Sequence, residues 1–123
     1  LIPAIQEFIN NIHSSFHVNF SYDESFNLID PDKALQLYRV LLELINNSIK
    51  HSGGDTITIQ FSDLHPTMKI TYSDNGIGLD INEIKQNTGL GIKNIISRLE
   101  LIGADFKCNT AIANGFQIEI LLK

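Results

Sequence analysis

Apolar positions along the chain switch between two periods, and the switches mark out the elements. Ile5, Phe8, Ile9 and Ile12 recur at helical spacing, which predicts a short helix over Pro3–His13. Phe16, Val18, Phe20 and Tyr22 then alternate with polar residues, the period of a half-buried strand. Asp30-Pro31 opens the longest helix, since Asp caps well and Pro suits the first helical position. Its predicted apolar stripe is Ala34, Tyr38, Leu41, Leu42, Ile45 and Ile49, and Ser52-Gly53-Gly54 ends it. Ile57, Ile59 and Phe61 form a second strand. Asp63-Leu64-His65-Pro66 turns it into a third, with Met68, Ile70 and Tyr72 inward, as an antiparallel hairpin. Gly89-Leu90-Gly91 opens a further helix, with Ile92, Ile95, Ile96, Leu99 and Ile102 on one face and Gly103 as its stop. Phe106 and Cys108, then Phe116, Ile118, Ile120 and Leu122, predict a closing hairpin around Asn114-Gly115. This order of helices and hairpins predicts an α/β sandwich, with helices on one face of a mixed, mostly antiparallel sheet.

Composition narrows the function classes. A chain of 123 residues, 43% of them hydrophobic, has material for one domain with one core. The net charge is −5 and the nine Lys and Arg are scattered, which argues against a nucleic-acid surface. An anionic small ligand would need a metal, a lysine or backbone N–H groups to hold it. The single Cys108 allows no internal disulfide and fits a reducing compartment. No apolar run approaches the ~20 residues of a membrane span, and no signal peptide is visible. The chain opens on Leu1, so a fragment of something longer is expected.

Three weak signals of chemistry follow. Glu43, Asn47 and Lys50 lie at i, i+4 and i+7 on one helical face, expected opposite the apolar stripe. A carboxylate, a carboxamide and an ammonium in a row suit a metal–phosphate site. They suit a solvated polar face at least as well. "TYSDNGIGL" then places Asp74 at a strand end before Gly76 and Gly78, where the backbone can approach a ligand and a carboxylate can accept from an amine. An ordinary turn rich in Asn and Gly reads the same way. Gly89 and Gly91 before a helix can turn backbone N–H groups to an anion, or simply loosen the helix start. The common nucleotide motifs are absent: no GxxxxGK[ST], no third glycine after Gly89-Leu90-Gly91, no zinc spacing.

The order of the signals is more specific than any one of them. Glu43-x-x-x-Asn47-x-x-Lys50-His51-Ser52, then Asp74-x-Gly76-x-Gly78, then Gly89-Leu90-Gly91 closely resembles the ATP-binding catalytic domain of sensor histidine kinases, in the superfamily shared with gyrase B, HSP90 and MutL. "ELINNSIKHS" and "TGLGIKNIISRLELIGADF" look most like the short-lid branch that includes nitrate, desaturase and autolysin sensors. The resemblance runs from about Phe16 to Leu122. It implies a two-layer α/β sandwich of the α+β class (the Bergerat fold), with about five strands covered on one face by about three helices. It implies Mg²⁺ and ATP or ADP as ligands. Asn47 would hold the metal, with Glu43 one turn before it; Lys50 would reach phosphate and His51 would lie near phosphate or ribose. Asp74 would accept from the adenine amine beside Gly76 and Gly78. Leu79 to Thr88 would be the lid, and Gly89, Leu90 and Gly91 would offer backbone N–H groups to phosphate, with Lys93 nearby.

Two departures stand out. Gly115-Phe116 occupies the place where this family often has Gly-Thr near the adenine. No histidine has the acidic follower expected of a phosphoacceptor: His13 precedes Ser-Ser, His17 Val-Asn and His65 Pro. The resemblance therefore implies transfer to a histidine on a separate dimerisation domain, with residues 1–14 as a connecting helix and 15–123 as the catalytic domain. It further implies a response regulator as downstream partner, a homodimeric full-length protein, a monomeric fragment that binds nucleotide without phosphorylating itself, and a cytoplasmic location with a membrane anchor elsewhere. The rivals are a serine kinase of the anti-sigma-factor type, an ATPase of the gyrase or MutL kind, and a nucleotide-binding module without activity.

Overall fold

Local chemistry sets where the longest helix begins. The Asp30 carboxylate accepts from the backbone N–H groups of Asp32 and Lys33, at 3.1 and 3.2 Å, and Pro31 follows at the first helical position. Both features lower the cost of starting a helix, the first by satisfying donors that lack an intrahelical partner. The computed structural model describes residues 1–12, 16–24, 29–51, 53–76, 92–110 and 115–122. Within them the order is α1 (Ile2–Asn10), β1 (His17–Tyr22), α2 (Pro31–His51), β2 (Thr56–Asp63), β3 (Met68–Asp74), α3 (Ile92–Leu101), β4 (Asp105–Thr110) and β5 (Phe116–Leu122).

The sheet runs β1-β2-β3-β5-β4. β1 and β2 are parallel, because α2 crosses between them, and the remaining pairings are antiparallel. The mixed sheet with helices on one face matches the expected sandwich. Strand alternation explains why one face suffices. Ile57, Ile59, Phe61, Ile70, Tyr72, Ile118 and Ile120 point to the helices and are buried. Thr58, Gln60, Thr71, Ser73, Gln117 and Glu119 take the other face, where Lys69 and Glu119 form an exposed-side ion pair at 3.5 Å.

On the helical side Leu37, Val40, Leu41, Leu44 and Ile45 of α2 meet Ile95 and Leu99 of α3 in one hydrophobic cluster. The expected stripe of α2 was turned too far round. Only Leu41 and Ile45 of the six predicted residues are fully buried; Ala34, Tyr38, Leu42 and Ile49 are half-buried on its flank. The helix is apolar over much of its circumference, so spacing alone does not fix which arc meets the sheet. α1 is also displaced from Pro3–His13 to Ile2–Asn10, because Ile2 and Ile5 are the residues that enter the core. Gly103 ends α3 with a φ of 70°, as its position predicted.

Replacing Asp30 by Ala removes the acceptor for two helix-start N–H groups. The expected cost is about 1 kcal/mol and a fall in Tm of roughly 3–6 °C, measured by thermal unfolding. An unchanged Tm would show that the cap contributes nothing.

Candidate functional site

Three chain segments meet at the end of β3, and Asp74 is where they join. The alternation that turns Ile70 and Tyr72 toward the helices turns Asp74 the same way. Above it lies Ser48 of α2. Ser48 is in phase with Leu37, Leu41 and Leu44, so the helix carries a hydroxyl into its buried stripe, and the residue is only 3% exposed. Its Oγ donates to Asp74 Oδ2 at 2.7 Å. It also lies against the Tyr72 hydroxyl, whose proton goes to the Leu44 carbonyl oxygen at 2.9 Å.

The proton count settles the roles. Ser48 and Tyr72 have one hydroxyl proton each. An ionised Asp74 can only accept, so the Ser48 proton belongs to it. The Tyr72 proton goes to the Leu44 carbonyl oxygen, and the Tyr72 hydroxyl oxygen packs against Ser48 Oγ at the inner end of the group. Burial holds the Tyr72 hydroxyl well above its ordinary value of 10.0, and the nearby Asp74 charge adds to this. Its hydrogen bond with Ser48 acts the other way.

The other carboxylate oxygen is held by backbone. Asp74 Oδ1 accepts from the N–H of Gly76 at 2.9 Å and of Phe116 at 3.3 Å. A carboxylate offers about four acceptor positions. Two are filled on Oδ1 and one on Oδ2, so among the described residues Oδ2 has one left. Gly115 makes the approach of β5 possible. Its φ is 81°, and a Cβ there would stand 2.3 Å from the Asp74 carbonyl oxygen.

Asn75 clamps the turn to the segment that follows α2. Its Oδ1 accepts from the N–H groups of Asp55 and Thr56, both at 2.9 Å, and its Nδ2 donates to Asp55 Oδ1 at 2.7 Å. The Asn75 hydrogen bond, followed by that of Thr56, holds the exposed Asp55 carboxyl below its ordinary value. A Cβ on Gly54 would stand 2.4 Å from Asn75 Oδ1, so the segment passes too close for a side chain.

The predicted trio occupies a flank of α2, not the side opposite the core. Glu43 and Asn47 are half-buried and Lys50 is exposed. Gln36, two turns before Glu43 on the same flank, accepts from Arg98 Nη1 of α3 at 3.0 Å, so this flank is the one beside α3. The correction follows from the turned stripe: with Leu37, Leu44 and Ser48 at its centre, Asn47 borders the buried arc. His51 is the last residue of α2. Gly76 sits in the turn with its N–H on Asp74. Gly78, Gly89, Leu90, Gly91 and the expected lid lie outside the described residues. Lys93 is exposed in the first turn of α3. No group of three His, Cys, Asp or Glu that could cage a metal occurs among the described residues.

Sequence reasoning did not find Ser48, the Tyr72 hydroxyl or the Asn75 clamp. A serine in phase with the buried stripe was the available signal for Ser48. Phe116, which stands where the family often has a threonine, is core: its ring stands edge-on to Tyr72 at 6.5 Å between centroids. Its backbone N–H nevertheless binds Asp74.

Known proteins of similar sequence or fold are numerous. The family model of histidine kinase-, DNA gyrase B-, and HSP90-like ATPases matches residues 32–123. The sensor histidine kinase ComP of Bacillus subtilis is 24% identical over 106 residues, covering 85% of this chain and 14% of the relative. Sensor protein VraS of Staphylococcus haemolyticus is 31% identical over 84 residues, covering 68% of this chain and 24% of the relative. The chain thus spans a quarter or less of these relatives. Among solved structures, the blue-light activated histidine kinase of Erythrobacter litoralis EL346 superposes with a TM-score of 0.79 at 16% identity, covering 97% of this chain and 38% of that one. The histidine kinase AdeS of Acinetobacter baumannii gives 0.74 at 14% identity, covering 99% and 61%. These two likenesses establish the fold.

The raised Tyr72 hydroxyl gives a pH dependence of fixed sign. Above the ordinary value of 10.0 the unfolded tyrosine has lost its proton while folded Tyr72 keeps it. The folded chain then binds more protons, so this group's contribution is complete below that pH and is lost as pH rises beyond it. Denaturant unfolding between about pH 9 and about pH 11.5 should show stability falling by up to ~1.4 kcal/mol per pH unit from this source. Tyr72→Phe should be less stable at neutral pH and show a flatter alkaline fall; an equal slope would contradict the assignment.

Proposed function

The chain belongs to the family of histidine kinase-, DNA gyrase B-, and HSP90-like ATPases, and from that premise we propose that it is the ATP-binding catalytic domain of a sensor histidine kinase. The reading is that it binds Mg-ATP and passes the γ-phosphoryl group to a histidine on a separate dimerisation domain. The observation that carries it is Asp74: a carboxylate fixed on three sides, at a strand end, with one acceptor position on Oδ2 left unfilled among the described residues. The exocyclic amine of adenine is the donor that fits.

The chain's own groups then divide the work. Asp74 orients the base, and the bare backbone at Gly76 allows it close. On the flank beside α3, the Asn47 side-chain oxygen is a neutral ligand suited to Mg²⁺, which takes few protein groups and keeps its waters. When bound, the metal supplies positive charge to the phosphate oxygens. Lys50 is the exposed cation one turn further on. Glu43, one turn before Asn47, is the carboxylate of that flank, in place to order water or to polarise the incoming imidazole. In the transfer, the bond from the γ-phosphorus to the bridging oxygen of ADP breaks, a phosphorus–nitrogen bond to the acceptor imidazole forms, and the imidazole N–H proton is released. Most of the acceleration comes from positioning and electrostatics.

The acceptor domain, a homodimer built through it, and a response regulator belong to the same proposal. So does a cytoplasmic placement in a longer, membrane-anchored protein; no described helix is long and apolar enough to cross a membrane. Residues 1–14 fit a connecting element that also lends Ile2 and Ile5 to the core.

Calorimetric titration with ATP and ADP, with and without Mg²⁺, tests the reading. ATP binding should strengthen with Mg²⁺. Asp74→Asn exchanges an acceptor for a group that also carries N–H donors and should weaken binding by about tenfold or more. Absence of Mg²⁺-dependent ATP binding, or an Asp74→Asn variant that binds as the wild type does, would sink it.

A further inference from the structure

The Ser48 and Tyr72 hydroxyls form a buried chain that ends on Asp74, and neither is accounted for by phosphate or metal binding. A buried hydroxyl is costly unless its hydrogen-bonding capacity is used. A helix position in phase with Leu37, Leu41 and Leu44 would be filled most simply by Ala or another apolar residue. An inward strand position between Ile70 and Asp74 would likewise take Phe in place of Tyr. The two hydroxyls reach each other, and their combined effect falls on one atom, Asp74 Oδ2.

We propose that Ser48 and Tyr72 are positioning residues for base recognition: Ser48, donating to Asp74 Oδ2 with the Tyr72 hydroxyl packed behind it, fixes the direction of the carboxylate and so sharpens the site's selection of a 6-amino purine over a 6-oxo purine. The inference rests on the nucleotide-binding reading and names the source of its base specificity. Its logic is a count of protons. The Ser48 proton is committed to Oδ2 and the Tyr72 proton to the Leu44 carbonyl oxygen. Gly76 and Phe116 commit theirs to Oδ1. No N–H or O–H of this set can turn to meet a carbonyl oxygen at the purine 6-position, while an amine there finds the open position on Oδ2.

Without the Ser48 hydroxyl, Oδ2 loses the group that fixes its direction. The carboxylate can then rotate or admit water, which can donate to an oxo group. Without the Tyr72 hydroxyl, Ser48 keeps its proton on Asp74 but loses the hydroxyl packed against its Oγ, which sets its orientation. The effect of Tyr72 is therefore indirect, passing through Ser48.

The test is a set of calorimetric titrations with ATP and with inosine triphosphate, which differ in carrying an amine or an oxo group at the 6-position. The wild type should prefer ATP by about tenfold or more. Ser48→Ala should lower that preference by about fivefold or more, and Tyr72→Phe by less. In the double variant Tyr72→Phe should add nothing to Ser48→Ala, because the two act in series. Asp30→Ala, which weakens the fold at the far end of α2, should leave the preference unchanged although its Tm falls. A merely structural role for the hydroxyls would lower Tm and leave the preference alone, as in Asp30→Ala; that result overturns the proposal. So does a double variant whose loss equals the sum of the single losses. A wild type that binds neither nucleotide overturns the nucleotide-binding reading itself, and this inference with it.

Discussion

A single hydrogen bond between α2 and β3 constrains the rest of the molecule. Ser48 Oγ reaches Asp74 Oδ2 from a helix lying on the sheet. This contact fixes the rotation of α2 about its own axis, because a shift of one residue would turn the hydroxyl away by roughly 100°. It also fixes where the helix lies along the sheet, since Ser48 must stand beside Tyr72 and Asp74 together. The Leu44 carbonyl shows how closely the parts are matched. Within the helix it serves the N–H of Ser48, four residues on, and its second lone pair takes the Tyr72 hydroxyl. Leu37, Val40, Leu41 and Ile45 supply most of the apolar burial, but burial is tolerant of small rotations and the hydroxyl chain is not. Hydrophobic packing brings α2 to the sheet; the buried polar contacts choose its register.

The same division holds for the turn beyond β3. Asn75 uses its side-chain oxygen twice and its amide once to tie the turn to Asp55 and Thr56. Gly54 and Gly115 stand where a methyl group would collide with Asn75 Oδ1 and with the Asp74 carbonyl oxygen. One anchor and two close approaches hold Asp74 from the α2 side and the β5 side. A lone carboxylate at a strand end would otherwise follow its own rotamers. Here its ligand-facing geometry is set before any ligand arrives, which is the condition under which a hydrogen bond discriminates rather than adapts.

How much of this was legible depended on the kind of signal. The strands were readable because Phe20 with Tyr22, Ile57 with Ile59, and Ile118 with Ile120 alternate cleanly against polar residues on the open face. The start of α2 was readable because Asp30-Pro31 acts locally. The rotation of α2 was not, because Ala34, Tyr38, Leu42 and Ile49 are as apolar as the residues that face the sheet, and only the packing partner decides between the two arcs. Asp74 stood out through its neighbouring glycines and the order of the motifs. Ser48 and the Tyr72 hydroxyl did not, since a polar group in a core announces itself only when its partner is known, and those partners lie 24 and 28 residues away in sequence. Phe116 shows the opposite limit: it lacks the polar side chain expected there, while its backbone N–H, which no sequence comparison can reveal, holds Asp74.

The placement of the two halves of the proposed site has an electrostatic consequence. Asn47, Lys50 and His51 belong to the last turns of α2, where unpaired carbonyl groups give the helix end a negative partial charge. That end is unfavourable to an anion, and the chain as a whole carries a net charge of −5. Phosphate placed on this flank, as proposed, would gain nothing from the α2 dipole and would depend on cations, the part proposed for Lys50 and a metal ion on Asn47. The base half would need no such help: adenine is neutral, and the half-buried Asp74 proposed to receive it is held by Ser48, Gly76 and Phe116. On the proposed reading, base identity would be read at Asp74, which three donors hold in place. Charge would be handled on the half-buried flank of α2, outside the core.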